Sequence, residues 1–406
     1  MNRYLIIADD FTGANDTGVQ LARRGIPTNV TLNYKGIHTD DHSYVLDTES
    51  RGMNSAKAYE HVISQAKQID FSGFSYVIKK VDSTLRGNIA MEVRAIDEVY
   101  HSGLIIFMPA LPDLRRTTSG GIHRLDGVPI TETELAKDPV KPVTKDCLTQ
   151  ILEEAYEEKV SHISLDDIRS SHISLTGARI FACDAETNKD MQAVVQAADA
   201  TGKRVLWVGS AAIADNLLEQ ELRVRPAMAL VASVSEVSRR QVKYAQMNGT
   251  HLISVPIYDM LDAYDASSYI ERAVSLLSAG RDVILLSSAT YDRDELERTV
   301  QAGALRGMKR EEVSEATQII MGEMTKKILD MVPVSGLFLT GGDTAIGFFE
   351  RTGAEGSVIT GEMSTGIPMM RLSGGMFDGL KVITKAGAFG NEDAIFYALR
   401  KLKEHS

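Results

Sequence analysis

Short apolar runs that break into glycine, hydroxyl and charged residues recur along the whole chain, and each break is followed by apolar positions at helical spacing. A run of four or five suits a buried strand, the break a turn, and the i, i+3, i+4 recurrence a helix with one buried face. The first instance, YLIIADDFTGANDTGVQLARRG at 4–25, predicts a strand, an acidic and glycine turn, and a helix that Gly25 closes. TNVTLN and YVLDTESRGM predict two more strands, the second ending at 47–51, and SAKAYEHVISQAKQI has helical spacing. A strand over 76–78 then runs into Lys79, Lys80, Asp82, Ser83, Thr84, Arg86, Gly87 and Asn88 before helical spacing resumes. LIIFMPALPDLRRTTSGGIHRLDGVPI predicts a strand, a long loop and a hairpin-like return, and the PVKPV segment is expected to open a helical stretch as far as 159.

Strand endings recur at VSHISLDDIRS, ARIFACDAE and KRVLWVGSAAIADNLLEQ, and the alternation of strand and helix is that of a largely parallel, doubly wound α/β sheet. Around 219–229 the chain turns charged and proline-broken, which predicts two α/β domains, 1–224 and 228–406, with a cleft between them. ALVASVSEVSRRQVKYAQMNG and DVILLSSATYDRDEL repeat the pattern in the second half. So does GLFLTGGDTAIGFFERTG at 336–353, where Gly341 and Gly342 separate a strand from a helix. Glycine there lets backbone N–H groups approach a ligand, and the helix start adds unpaired donors, so phosphate is a natural guest. Asp343 beside it is suited to hold a metal ion or take a proton from an attacking hydroxyl, or it caps the helix, as Thr344 also could.

At 406 residues the chain exceeds the usual size of a single core, which agrees with two domains. Its 44 Lys and Arg against 55 Asp and Glu leave a formal charge of -11, which argues against a nucleic-acid surface and means an anionic ligand needs a local basic pocket. No apolar run approaches the roughly 20 residues of a membrane span, and the start turns acidic too early for a signal peptide. With Cys147 and Cys183 in unrelated contexts, a cytoplasmic protein is expected. Neither GxxxxGK[ST] nor a GxGxxG after the first strand is present, which disfavours a dinucleotide-dependent dehydrogenase.

Strand ends in an open α/β sheet are where ligands gather, so Asp9 and Asp10 are placed to meet a hydroxyl-rich substrate or a metal, or to cap the following helix. Arg51 offers a planar fork for a carboxylate. Lys80, which alternation separates from Lys79, and Arg86 are cations suited to an acid group, while Asp82 and Ser83 suit sugar-like hydroxyls. Arg115, Arg116, Thr117 and Thr118 could face the same anion. Ser233 and Ser235 stand at a helix start, where they bind phosphate or adenosine or simply cap.

Taken together and in this order, ADDFTGAND, KKVDSTLRGN, PALP with RRTT and GG, TGGDT, STGIP and KAGAFG resemble the bacterial four-carbon acid sugar kinases over nearly the full length. The resemblance implies an N-terminal domain for a tetronate-type acid, a C-terminal domain for ATP with Mg2+, and phosphorylation at the acid's terminal hydroxyl. It carries substrate contacts onto Asp10, Arg51, Lys80, Val81, Asp82 and Ser83, and nucleotide contacts onto Ser235, Gly361, Glu362, Met363, Ser364 and Gly387. This chain has Ala232 where the family often carries glycine. KKVDSTLRGN is closer to threonate or erythronate kinases than to 3-oxo-tetronate kinases. Asp10 and Asp343 are the two candidates for the base. The expected partners are a sugar acid and ATP, with a homodimer possible and neither nucleic acid nor membrane. A non-catalytic, ATP-gated sensor of sugar acids is the rival from another class.

Overall fold

The alternating apolar runs become the strands of two sheets in the computed structural model, which describes residues 2–38, 40–139, 141–222, 224–261 and 265–404. The side chains of Leu222 and Asp343 lie outside the described set. One compact unit spans Met1–Leu222 and the other Arg223–Glu404.

In chain order the first unit carries β1 (Tyr4–Ala8), β2 (Thr28–Thr31), β3 (Ser43–Asp47), β4 (Tyr76–Lys80), β5 (Leu104–Met108), β6 (Arg116–Ser119), β7 (Ile122–Leu125), β8 (Val128–Pro129), β9 (Val160–Ile163), β10 (Ile180–Cys183) and β11 (Val205–Gly209). Eight of these form one sheet in the order β2-β3-β1-β4-β11-β5-β10-β9, and every pairing in it is parallel. Both faces are covered, so the central strands are apolar throughout rather than alternating with polar residues. Ile6, Ile78, Ile106 and Trp207 point to one face, toward the helices Phe11–Arg23, Asn188–Asp199 and Ala211–Leu222. Leu5, Val77, Phe107 and Val208 point to the other, toward Ser55–Ala66 and Ile89–Tyr100. β6, β7 and β8 form a small antiparallel sheet, the return predicted after the long loop.

One expected helix is largely missing. Of the described residues in 139–159 only Leu148–Leu152 is helical, because Pro139 and Pro142 withhold backbone donors and Val143 instead bonds the Leu135 carbonyl.

The second unit carries β12 (Met228–Val231), β13 (His251–Val255), β14 (Val283–Ser287), β15 (Leu337–Thr340), β16 (Gly356–Ser364), β17 (Ile367–Ser373) and β18 (Lys381–Lys385), in the order β13-β14-β12-β15-β18-β17-β16. The first five in that order are parallel, and the β16–β17 hairpin continues the sheet antiparallel.

In both sheets the chain leaves adjacent central strands on opposite faces. After β1 the chain leaves on the face of Phe11–Arg23, whereas after the adjacent β4 it leaves on the face of Ile89–Tyr100. After β12 it leaves along Glu236–Met247, and after the adjacent β15 along Gly342–Thr352 on the opposite face. A crevice opens at the carboxyl ends of strands wherever such a reversal occurs, so each unit offers one.

Candidate active site

The first crevice lies at the ends of β1 and β4, where Ala8 and Lys80 are register partners. Asp10 caps the helix Phe11–Arg23 by accepting from the Gly13 N–H at 2.9 Å, so the capping expectation for this acid holds. Arg51 grips both neighbouring carboxylates: Nε and Nη2 donate to Asp9 at 2.7 and 3.0 Å, and Nη1 and Nη2 donate to Asp10 at 2.7 and 2.8 Å. The arginine fork foreseen for a ligand is therefore filled from within the chain.

Alternation along β4 separates the two lysines. Lys79 turns into the core, where its Nζ lies 2.7 Å from Glu92. Lys80 turns to the opposite face, beside the first turn of Phe11–Arg23, so close that a Cβ at Gly13 would stand 2.7 Å from Nζ and 2.6 Å from Asp10 Oδ1. Glycine at 13 is thus what lets the acid and the lysine share one place. No hydrogen bond or ion pair holds Lys80 Nζ among the described residues. Burial lowers its pKa, and the charges of Asp9, Asp82 and Asp10 work against that drop.

Val81 points its side chain into the core and contributes only backbone, its N–H donating to Gly209 O at 2.9 Å. Asp82 accepts from Thr84 and Arg86. Burial pushes the Asp82 carboxyl up, but the hydrogen bonds from Arg86 and Thr84 and the Arg51 charge outweigh it and hold it at about 2. Ser83 Oγ accepts from Arg116, whose Nε is buried without a partner, while Arg115 faces solvent opposite Asp126. His123 bridges the Ser83 carbonyl (2.9 Å) and Thr118 Oγ1 (2.9 Å). Burial drives its pKa down to about 4, so the ring is neutral near pH 7, and because a carbonyl only accepts, Nε2 carries the proton.

The second crevice is a cavity of about 620 Å³ at the ends of β12, β14 and β15. Its floor is Ala232, Ser233, Ser235, Ser287, Thr340, Gly341 and Gly387. Its walls are Leu296, Thr299 and Val300 on the helix Arg293–Ala304, and Arg310, Val313, Ser314, Thr317 and Gln318 on Arg310–Met331. Gly341 takes φ +96°, a conformation that strains any residue with a Cβ, and no side chain caps the helix Gly342–Thr352 behind it. Ser235 caps Glu236–Met247 and donates to Gly387 O at 2.7 Å, joining two of the expected nucleotide contacts directly. A Cβ at Gly387 would lie 2.7 Å from Ser233 Oγ.

The remaining candidates are placed elsewhere. Gly342 is the first helical residue but is not on the cavity wall, and Asp343 follows it in that first turn, its side chain outside the described residues. Gly361, Glu362, Met363 and Ser364 lie on β16, the edge strand, and also line no part of the cavity. The turn after them reaches the loop that carries Gly387, since Gly366 abuts the Phe389 ring.

Sequence reasoning missed His123, Glu92 and the helical walls, because His123 meets the Ser83 carbonyl 40 residues away, Glu92 accepts from Ser50 42 residues away, and wall residues at helical spacing read as ordinary helix faces. Asn88 was legible only as one of a polar run. Its side-chain amide closes the turn at Ser50 O and Met53 O (3.0 Å each) and accepts from Lys141 Nζ at 2.9 Å.

Residues 4–217 match the sugar-binding N-terminal domain family and residues 228–395 the nucleotide-binding C-terminal domain family. A D-threonate kinase from Salmonella typhimurium is 34% identical, with 99% of each chain covered. A D-erythronate kinase from Heliobacterium modesticaldum is 28% identical, covering 100% of this chain and 99% of the relative. A solved structure from Bordetella bronchiseptica, described as a domain of unknown function with bound citrate and as a domain-swapped dimer, superposes with a TM-score of 0.60 at 25% identity, covering 100% of this chain and 99% of that one.

Proposed function

The chain belongs to the four-carbon acid sugar kinases and is a sugar-acid kinase, and from this we propose that it transfers the γ-phosphoryl group of ATP to the terminal hydroxyl of D-threonate, giving 4-phospho-D-threonate. The observation that carries this reading is the contrast in chemistry between the two crevices. The first sets Lys80 beside Asp10 and within reach of the charges of Asp9 and Asp82, with Arg116 on Ser83, and the second has glycine and serine turns under walls that mix apolar and polar side chains.

In this reading residues 1–224 bind the acid and 228–406 the nucleotide. Lys80 and Arg116 hold the substrate carboxylate, since among the described residues no carboxylate is bonded to Lys80 Nζ, and Arg116 meets Ser83 while its buried Nε meets no acceptor. Arg51 instead fixes Asp9 and Asp10 as acceptors for the acid's hydroxyls, and the Asp82–Ser83 segment, held by Arg86 and His123, bonds another. The Gly341 and Gly387 turns and Ser235 receive the nucleotide phosphates. Asp343 is the base that takes the hydroxyl proton, because both oxygens of Asp10 are already engaged by Arg51. Phosphoryl transfer asks mainly for alignment and charge neutralisation, which these groups supply.

Among the described residues no cluster of three or more His, Cys, Asp or Glu could hold a metal ion by itself. Mg2+ would enter with the nucleotide phosphates and would supply neutralisation of their charge. The reading includes a cytoplasmic setting and a homodimer, the latter supported by the dimeric Bordetella structure.

A coupled ADP-release assay over D-threonate, D-erythronate and 3-oxo-tetronates tests this. D-Threonate is expected to give the highest kcat/KM. A preference for another acid replaces the substrate, and binding of ATP and acid without ADP release makes the protein a sensor.

A further inference from the structure

Lys385 ends β18 beside the second crevice and is 2% exposed. Its Nζ donates to the Ala386 and Gly387 carbonyls, both at 3.0 Å, and no carboxylate of the described residues pairs with it; the side chain lies behind the cavity lining, next to Gly387. A buried ammonium satisfied only by neutral carbonyls forgoes the charge compensation that normally accompanies burial. Burial accordingly lowers its pKa to about 8.

Three further facts tie this cation to the cavity. Gly387, whose carbonyl it grips, is on the cavity floor and also accepts from Ser235 and Ser238. Thr340, its register partner on β15, lines the cavity, and its Oγ1 is buried with no hydrogen-bond partner among the described residues. Gly341 is held against the Lys385 main chain, donating to its carbonyl at 2.7 Å. An ammonium has three donors, so two on carbonyls leave one for a ligand oxygen.

We propose that Lys385 is the phosphate-binding cation of this cavity, with Thr340 Oγ1 as its neighbouring donor and the polyphosphate of a nucleoside triphosphate as the anion that completes both. The assignment rests on the nucleotide reading of the crevice and adds the residue that supplies its charge. The carbonyl grip keeps the ammonium in place, and the incoming anion provides the counter-charge the fold omits.

Calorimetric titration of the full chain with ATP, ADP and adenosine tests it. Lys385→Gln keeps an NH2 group able to serve the carbonyls but removes the charge, so it is expected to weaken ATP and ADP by about tenfold or more and leave adenosine within about twofold. Lys385→Arg, which keeps the charge, is expected to hold ATP within about threefold of the parent. Equal losses for ATP and adenosine in K385Q, unchanged ATP affinity in K385Q, or a loss beyond tenfold in K385R overturns the assignment while leaving the nucleotide site standing. Absence of ATP binding in the parent protein overturns the nucleotide reading together with it.

Discussion

The two crevices occupy equivalent positions in their sheets, yet they handle charge in opposite ways. At the ends of β1 and β4 four acids and several cations interlock: Arg51 on Asp9 and Asp10, Arg86 on Asp82, Lys79 on Glu92. At the ends of β12, β14 and β15 no described residue of the cavity wall carries a carboxylate, and Lys385 is held by carbonyls with no acid partner among the described residues. The topology chooses where a ligand meets the sheet, and the side chains at the strand ends choose which ligand. Balanced charges with hydroxyl acceptors favour a small polyhydroxy acid, whereas glycine turns with a buried lysine beside them suit a polyanion in a protein of net charge -11.

Moving the base between the crevices is the strongest way to break that contrast. Asp343→Asn is expected to lower kcat by about 100-fold or more, the range of a lost general base, with Asp10→Asn costing less because its amide oxygen still caps the helix. The reverse order in steady-state assays assigns the base to the acid crevice.

Two glycines sharpen the contrast next. A methyl at Gly13 collides with Asp10 and Lys80, and one at Gly387 collides with Ser233. Gly13→Ala is expected to raise the KM for the acid about tenfold with the nucleotide KM unchanged, and Gly387→Ala to raise the nucleotide KM several-fold with the acid KM unchanged. If either variant moves both constants equally, the two crevices are not separate binding places.

The smallest effect concerns acid stability of the first unit. His123 has a folded pKa of about 4, below its ordinary 6.5, so the folded chain resists protonation and loses stability as the pH falls from about 6.5 toward 4. Asp47, pushed up to about 6 by burial, acts in the opposite sense over the lower part of that window. The readout is therefore the difference between parent and His123→Gln in denaturant melts at pH 7 and 4.5. The gap between them is expected to shrink at the lower pH, and a constant gap refutes a neutral buried imidazole.

Much of the fold was open to reading because strands in a parallel sheet are short, apolar and bounded by polar turns, as YLIIA and GLFLT show. The acid crevice was readable where chemistry clusters locally, as in the run from Lys79 to Asn88, and the parting of Lys79 and Lys80 to opposite faces followed from alternation. What stayed hidden depends on contacts across long stretches of chain. Nothing near Arg51 announces that its donors are already spent, and nothing in the helix Arg310–Met331 marks one face as a cavity wall. The helical pattern over 139–159 misled because spacing alone does not register the two prolines at its start.

The outermost strand, β16, has a practical consequence for handling the protein. It is nine residues long, it bonds a neighbour on one side only, and it presents Val358 and Ile359 more than 60% exposed. Such an edge recruits other chains by backbone pairing, so concentrated preparations are prone to sticky association there, and a lysine in place of Val358 offers a simple route to better-behaved samples.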